Sequence, residues 1–229
     1  MELLDESRFS MKLIYFDCCA HLNKPPWGKH NPPSEYRNQH VAKFWGEGIN
    51  QLAFFPVVMI KDFYHWSGSQ CRHRYTSWWA HDKDHCPNLV LPDGRSNPAG
   101  VKYGKHVQYY SSILDLWNKY YQEWEEQTFP HLTTRYEDLL FHGEEVTRIA
   151  CDCIGGVFTA NFGYVEGSAK ENGLPIHEGA NGLIKSLLQY GSSANRLSGF
   201  TDQDRLYASK HLDSAIFQKY GYSAPPLPT

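Results

Sequence analysis

A lysine and a serine eight residues apart follow a strongly apolar stretch of the chain. Lys61 comes directly after residues 52–60, and Ser69 lies where the sequence predicts the first turns of a helix. A cation at a strand end and a hydroxyl in the next helix can converge on one anion, and the amino end of that helix adds backbone N–H donors. The spacing therefore predicts an anion site. The alternative is a solvated loop in which Lys61 pairs with Asp62.

Tyr136 stands at the end of the next segment that the sequence predicts to be a strand, residues 132–136. It stands in the run Arg-Tyr-Glu-Asp-Leu at 135–139, whose acidic members can hold neighbouring loops or basic side chains. A tyrosine at a strand end can stack on a nucleotide base, which makes Tyr136 a candidate for nucleotide contact. A strand end followed by a helix cap is the alternative and the commoner arrangement.

Lys29 and His30 form a second candidate pair, in the proline-rich segment 23–34. A histidine fixed by Pro32 and Pro33 could act as a general base, with the adjacent lysine as an electrostatic helper. The alternative is two exposed basic residues without a catalytic role.

Cysteine and histidine side chains cluster between residues 71 and 86. Cys71, His73, His85 and Cys86 could hold zinc, although their spacing matches no standard zinc motif and no metal is expected. In an oxidising compartment a Cys71–Cys86 disulfide would close the same segment. Packing around the neighbouring tryptophans at 78 and 79 is the third interpretation.

The order of predicted elements favours an α/β fold with a parallel sheet flanked by helices. In such folds ligands bind at the carboxyl ends of the strands, where Lys61 and Tyr136 stand. The elements are a strand in 52–60 beginning near Pro56, a helix after it, a long irregular segment 81–104, a helix over 106–127, a strand over 132–136, and helices over 144–154, 182–190 and from Thr201 to about His211.

Composition excludes several broad classes of protein. The 229 residues are 41% hydrophobic and 21% charged, which suits one packed domain or at most two small ones. The formal charge of −3 gives no general basic surface, so nucleic-acid binding is not favoured. No apolar run is long enough to span a membrane. Sequence motifs of nucleotide hydrolases, dinucleotide enzymes, serine hydrolases and zinc proteases are absent.

Three segments, in the right order, make residues 27–222 resemble the P-loop-fold sulfotransferases. Residues 57–69 resemble the family's 3′-phosphate element, in which an apolar strand ends in Arg-[Asp/Asn]-Pro and a serine follows eight residues after the arginine. Residues 133–154 resemble its Arg-Tyr-Glu-Asp-Leu segment and the helix that follows, and residues 199–222 resemble its closing segment. Residues 71–90 resemble a branch of such proteins in algae and other protists.

The resemblance implies the donor 3′-phosphoadenosine 5′-phosphosulfate (PAPS), whose desulfated product is PAP. By analogy Lys61 and Ser69 would hold the 3′-phosphate and Tyr136 would contact the adenine. The segment Trp-Gly-Lys-His sits where many members carry a catalytic Lys-x-His, so His30 is the candidate base and Lys29 the candidate cation. The implied reaction is sulfuryl transfer to a hydroxyl or amine acceptor.

This chain departs from the family pattern at three places. Residues 1–26 contain no glycine and no basic turn that could serve as the 5′-phosphosulfate loop. Phe63 replaces the usual proline, and Lys185 and Arg196 are weak substitutes for the C-terminal Arg-Lys-Gly element. The fold is therefore expected either to be N-terminally truncated or to have lost activity.

Two alternatives to the enzyme stay open. One is a catalytically inactive nucleotide- or partner-binding protein of the same fold, and the other is a zinc-stabilised interaction domain built on residues 71–86. The expected layout is an atypical segment 1–26, a sulfotransferase-like domain 27–222 and a disordered tail 223–229. The acceptor, the oligomeric state and the compartment, cytoplasm or Golgi lumen, stay open.

Overall fold

The computed structural model describes residues 31–35, 55–72, 76–82, 84–153, 155–158, 162–163 and 183–228. Its elements are a 3₁₀ turn at Pro33–Glu35, β1 (Val57–Ile60), α1 (Phe63–Arg72), β2 (Ser77–Trp78), β3 (Ala99–Tyr103), β4 (His106–Tyr110), α2 (Ile113–Glu125), β5 (Leu132–Arg135), α3 (Tyr136–Phe141), α4 (Gly143–Cys153), α5 (Leu183–Gly191), α6 (Ser193–Arg196), α7 (Asp202–His211) and α8 (Ser214–Lys219). The architecture is mixed α/β. Among the described helices, none is long and apolar enough to cross a membrane.

The chain divides into two compact units. The first contains Met1–Ile60 and Gln127–Ser192, and the second contains Lys61–Glu126 and Ser193–Thr229. The boundary between Ile60 and Lys61 falls inside the 27–222 span that the resemblance assigns to one domain.

In the first unit, β1 and β5 form a parallel pair. Val57 lies opposite Leu132, and Ile60 lies opposite Arg135. A parallel strand is ordinarily covered on both faces, which explains why this short segment is almost wholly apolar. The sequence prediction of a buried parallel strand beginning after Pro56 is confirmed, since β1 begins at Val57.

Two helices follow β5 almost without a break. β5 ends at Arg135, one residue earlier than predicted, and α3 begins at once at Tyr136 and packs against α4 and α5. α4 ends at Cys153, close to the predicted end at residue 154, and Gly155 and Gly156 follow it. Gly155 has a φ of +72°, a conformation that glycine adopts without steric cost, and the Gly156 N–H donates to the Cys151 carbonyl at 2.8 Å.

In the second unit, the helices pack around Trp117 of α2. Its side chain is fully buried and meets the rings of Phe63, Tyr121 and Phe217 edge-on. The indole Nε1 donates to the Lys61 carbonyl at 3.0 Å, which satisfies the one polar atom of this ring. α2 contacts α1, α7 and α8, so it is the central helix of this unit.

The second unit also contains an antiparallel sheet that the sequence did not predict. β3 pairs with both β2 and β4, and Tyr103 lies opposite His106 across a tight turn. Residues 106–110 were predicted as the start of a helix, and this was wrong. Val107 and Tyr110 fit a helical spacing, but pairing with β3 forms the backbone hydrogen bonds of this segment instead. The helix begins only at Ile113, where Ser112 caps it by accepting from the Asp115 N–H.

The buried carboxylate of Asp204 anchors the long connection between β2 and β3 to α7. Its Oδ1 accepts from the Leu89 N–H at 2.6 Å, and its Oδ2 lies 2.9 Å from Nε2 of His85. Asp204 also forms a capping box with Thr201, and the helix begins there, so the predicted start of α7 is confirmed.

Residues 223–228, predicted as part of a disordered tail, are held in place by two arginines. Arg196 donates to the Ser223 carbonyl at 2.5 Å, and Arg205 donates to the Pro226 carbonyl at 2.6 Å. Carbonyl acceptors need no particular side chain, which explains why the sequence of the tail did not reveal these contacts.

Candidate anion site

The structure brings Lys61 and Ser69 together. Lys61 follows β1 directly, and Ser69 lies on α1. The Lys61 Nζ donates to the Ser69 Oγ at 3.0 Å, and both side chains are buried, with exposed fractions of 0% and 5%. The alternative of a solvated loop is therefore wrong for Lys61. Burying an ammonium group is costly unless it is well hydrogen-bonded, and the Ser69 hydroxyl is one of the acceptors that meet this need.

Arg72 is a third member of this site that the sequence analysis missed. It lies one turn after Ser69 on α1, and its Nη2 is 3.4 Å from the Ser69 Oγ. Ser69 in turn donates to the His65 carbonyl at 3.1 Å. The spacing of three residues from Ser69 to Arg72 was visible in the sequence, because such residues share a helix face.

Lys61 and Arg72 thus direct positive groups at one neutral hydroxyl oxygen. Two cations at such close range repel each other, and an anion placed between them would stabilise both. A phosphate oxygen that took the position of the hydroxyl as acceptor would receive stronger, charge-assisted hydrogen bonds. Arg72 is exposed while Lys61 is not, so Arg72 lies on the solvent side of the site.

Asp62 caps α1 in place of the predicted anion. Its Oδ1 accepts from the backbone N–H groups of Tyr64 and His65, at 2.9 and 3.3 Å. The expectation that these helix N-terminal donors would face a ligand is wrong, because a side chain of the chain itself already uses them. The anion site therefore depends on side chains.

Arg196 holds the other oxygen of Asp62. Its Nε and Nη2 donate to the Asp62 Oδ2 at 3.1 and 2.7 Å. The guanidinium also lies over the rings of Tyr64 and Phe217, with its carbon 5.1 and 6.0 Å from their centroids. Burial raises the pKa of Tyr64 to about 12, so this phenol stays neutral. Arg196 therefore has a structural partner here.

His65 is a buried and uncharged neighbour of the site. Burial lowers the pKa of its imidazole from 6.5 to about 4. The Asp62 carboxylate opposes this shift, while the cations Lys61, Arg196 and Arg72 add to it. His65 is consequently neutral at physiological pH and adds no positive charge to the site.

Tyr136 belongs to the first unit, at the start of α3. It is 4% exposed, and its ring meets Tyr190 of α5 edge-on, with centroids 5.1 Å apart. Next to it Arg135 pairs with Asp138 at 2.7 Å. The residue thus has the position predicted for it, at the end of a parallel strand. Its contact with a base stays a prediction.

The remaining predicted site residues divide into two groups. Lys29, His30 and His73 lie outside the described residues. Cys71 and Cys86 are joined in a disulfide, with Cα atoms 6.0 Å apart. In this state neither sulfur is a thiolate ligand, so the zinc set of Cys71, His73, His85 and Cys86 does not exist in the form that the sequence suggested. The described residues contain no cluster of three or more potential metal ligands.

Comparison with protein-family models, with curated proteins and with solved structures finds no match to this chain.

Proposed function

We propose that this protein is a PAPS-dependent sulfotransferase that transfers a sulfuryl group to a hydroxyl or amine acceptor. The observation that supports this most is the buried contact between Lys61 and Ser69. These are the two residues that the resemblance assigned to the 3′-phosphate. The parallel pairing of β1 with β5 also supports the proposal, because ligands of parallel α/β folds bind at the carboxyl ends of the strands and Lys61 directly follows β1.

In the proposed reaction a base removes the proton from the acceptor hydroxyl or amine. The acceptor atom then forms a bond to sulfur while the bond between sulfur and the bridging phosphate oxygen breaks, and its electron pair stays on that oxygen. PAP leaves with this charge. His30 is the proposed base and Lys29 the proposed cation beside the leaving oxygen, on the sequence evidence alone.

We also propose that the mixed α/β fold of this chain is that of the P-loop-type sulfotransferases. Lys61 and Ser69 would hold the 3′-phosphate, with Arg72 on the solvent side, and Tyr136 would contact the adenine. Lys61 would bind the phosphate through the single charge of its ammonium group, whereas the arginine usual at this position would form a bidentate hydrogen bond.

The first experiment is thermal unfolding with and without PAP, using AMP as the ligand that lacks a 3′-phosphate. A ligand at about 100 times its Kd stabilises the folded state by about 2.7 kcal/mol. For a chain of this length the expected rise in Tm is roughly 5–11 °C. A rise with PAP and none with AMP is the expected result. Equal rises, or no rise from a folded sample, would remove the 3′-phosphate site.

Two variants test whether the PAP-dependent rise in Tm comes from binding at Lys61 and Ser69. Lys61→Met removes the ammonium while keeping an unbranched chain of similar volume, and Ser69→Ala removes the shared hydroxyl. Both are expected to abolish most of the PAP-dependent rise. Lys119→Met is the matched control, because Lys119 is an exposed lysine that pairs with Asp115 on the surface of α2. Its rise should equal that of the wild type.

An assay of sulfuryl transfer distinguishes an active sulfotransferase from an inactive protein that binds the same nucleotide. With PAPS and a panel of hydroxyl and amine acceptors, His30→Ala should keep PAP binding and lose transfer. If the wild type binds PAP and transfers no sulfate to any acceptor, the inactive nucleotide-binding protein becomes the better description.

A further inference from the structure

One face of the antiparallel sheet carries a row of aromatic side chains. The pairing puts Trp78 of β2 opposite Gly100 of β3, and Gly100 opposite Tyr109 of β4. Residues directly opposite one another point to the same face, so Trp78 and Tyr109 flank a glycine that has no side chain. Trp78 is 40% exposed and Tyr109 is 70% exposed.

The other face of the sheet is an ordinary buried face. Val101, Tyr103 and Tyr110 are each about 95% buried and form a core cluster with Leu116 of α2. Packing against α2 thus explains why the residues on this face of the sheet are apolar and aromatic. The aromatic residues of the outer face need a different explanation.

The two rings form a corner. A Cβ placed on Gly100 would overlap the indole of Trp78, so this ring lies across the backbone of β3. The ring of Tyr109 is 6.2 Å from it and almost perpendicular, at 89°. Trp78 therefore forms a floor and Tyr109 an upright wall, which agrees with their different exposure. Any side chain at position 100 would lift the floor.

A lysine stands beside this corner. Lys102 is exposed and lies two residues after Gly100 on β3, which puts it on the same face at about 7 Å along the strand. Val107, opposite Lys102, extends the apolar surface and is 37% exposed. The face thus offers a flat apolar floor, an aromatic wall and one positive charge.

We propose that this face, formed by Trp78, Gly100, Lys102 and Tyr109, binds a uronic-acid saccharide. A pyranose ring has one face rich in C–H groups that can lie on the indole, and its edge fits against the tyrosine. A carboxylate carried by the ring itself would lie within reach of the Lys102 ammonium. This proposal does not depend on the proposed function.

The size of the face favours a sugar over a protein partner. Stable protein interfaces need about 20–30 residues on each side, whereas the described strands contribute to this face only the side chains of Trp78, Lys102, Val107 and Tyr109. A lipid surface is better served by several aromatic side chains that project outward, whereas of this pair Trp78 lies flat on the sheet and Tyr109 stands upright.

The test is isothermal titration of the full chain with hexasaccharides that contain glucuronic, mannuronic or galacturonic acid, and with a neutral N-acetylglucosamine hexamer. At least one acidic hexasaccharide is expected to bind. Trp78→Ala and Tyr109→Ala should each weaken that binding at least tenfold. Lys102→Gln should reduce the preference for the acidic over the neutral sugar. Phe141→Ala, at an exposed aromatic residue of α3, is the control and should bind as the wild type does.

Three results would overturn the proposal. One is the absence of millimolar binding to all three acidic hexasaccharides by the folded wild type. Another is binding that Tyr109→Ala leaves unchanged, since this exposed residue can be replaced without unfolding the sheet. The third is a protein that binds no sugar but sediments with vesicles of phosphatidylcholine and phosphatidylserine, and that loses this sedimentation in Trp78→Ala. This result would assign the face to a membrane surface.

Discussion

The Lys61 site and the outer face of the antiparallel sheet both lie in the second unit. Each is an exception to the rule that charged groups are exposed and large apolar groups are buried. At the first, an ammonium group is completely buried. At the second, an aromatic ring is 70% exposed. Buried polar groups and exposed apolar groups are the informative exceptions in a folded protein.

The two regions differ in how the fold accommodates the exception. Around Lys61 the fold pairs polar groups with one another: Ser69 accepts a hydrogen bond from Lys61, and Asp62 forms an ion pair with Arg196. On the sheet, Trp78 and Tyr109 are supported from below by backbone and by each other, and their outer faces meet solvent. The first region should therefore be important for stability, whereas the second should be nearly neutral for it.

The largest expected effect belongs to Asp62→Ala. This change removes the cap of α1 and leaves the guanidinium of Arg196 half-buried without its carboxylate. Breaking a buried ion pair in this way costs about 3–5 kcal/mol, and urea denaturation would measure the loss. Asp138→Ala removes a half-exposed partner of Arg135 and should cost less than about 1 kcal/mol. Similar losses in the two variants would contradict the structural importance assigned to Asp62.

The disulfide ties α1, the helix that carries Ser69, to the connection between β2 and β3: Cys71 lies on α1 and Cys86 lies in that connection. Closing a loop of 15 residues stabilises a fold by roughly 3 kcal/mol. The double variant Cys71→Ser, Cys86→Ser should lose about that amount, and its unfolding should no longer respond to a reductant. A wild type whose midpoint is the same with and without reductant would argue against the cross-link.

Acid should weaken the Lys61 region through His65. The folded pKa is about 4, against 6.5 for an ordinary histidine, so between these values the unfolded state binds a proton that the folded state does not. This contribution to stability is complete above pH 6.5 and is lost as the pH falls towards 4. The shift corresponds to roughly 3 kcal/mol.

Urea denaturation between pH 7 and 4 would measure this loss. His65→Gln cannot titrate, so the difference between the wild type and this variant isolates the contribution of His65 from that of the carboxylates. Parallel pH profiles for the two proteins would show that the imidazole is not buried as described.

The smallest effect is expected on the sheet. Tyr109→Ala removes an exposed ring and should change the free energy of unfolding by no more than about 0.5 kcal/mol. Tyr121→Ala removes a ring of the same kind that is 6% exposed and should cost roughly 3–5 kcal/mol. A large loss for Tyr109→Ala would mean that the exposed ring serves the fold, and its proposed role in binding would lose its main support.

Local patterns in the sequence predicted several elements well. Thr201 and Asp204 form a capping box within one turn, and Pro56 sets the start of β1. The contact between Lys61 and Ser69 also came from spacing, because a strand followed at once by a helix leaves little freedom between them. These features depend on residues within about eight positions of one another.

The antiparallel sheet could not be predicted in the same way. Residues 106–110 contain apolar residues at a spacing that suits a helix as well as a strand, and their pairing with β3 decided between them. The outer face formed by Trp78, Gly100 and Tyr109 exists only through that pairing.

The sequence by itself thus determined the parallel strand, the helix ends and the meeting of Lys61 with Ser69. The tertiary structure alone decided that Arg196 meets Asp62, from 134 positions away, and that an aspartate occupies the helix donors expected to serve an anion. The physical reason is the range of each interaction. Caps and turns are settled by the backbone conformation of a few neighbouring residues, whereas a distant ion pair forms only after packing has brought the elements together.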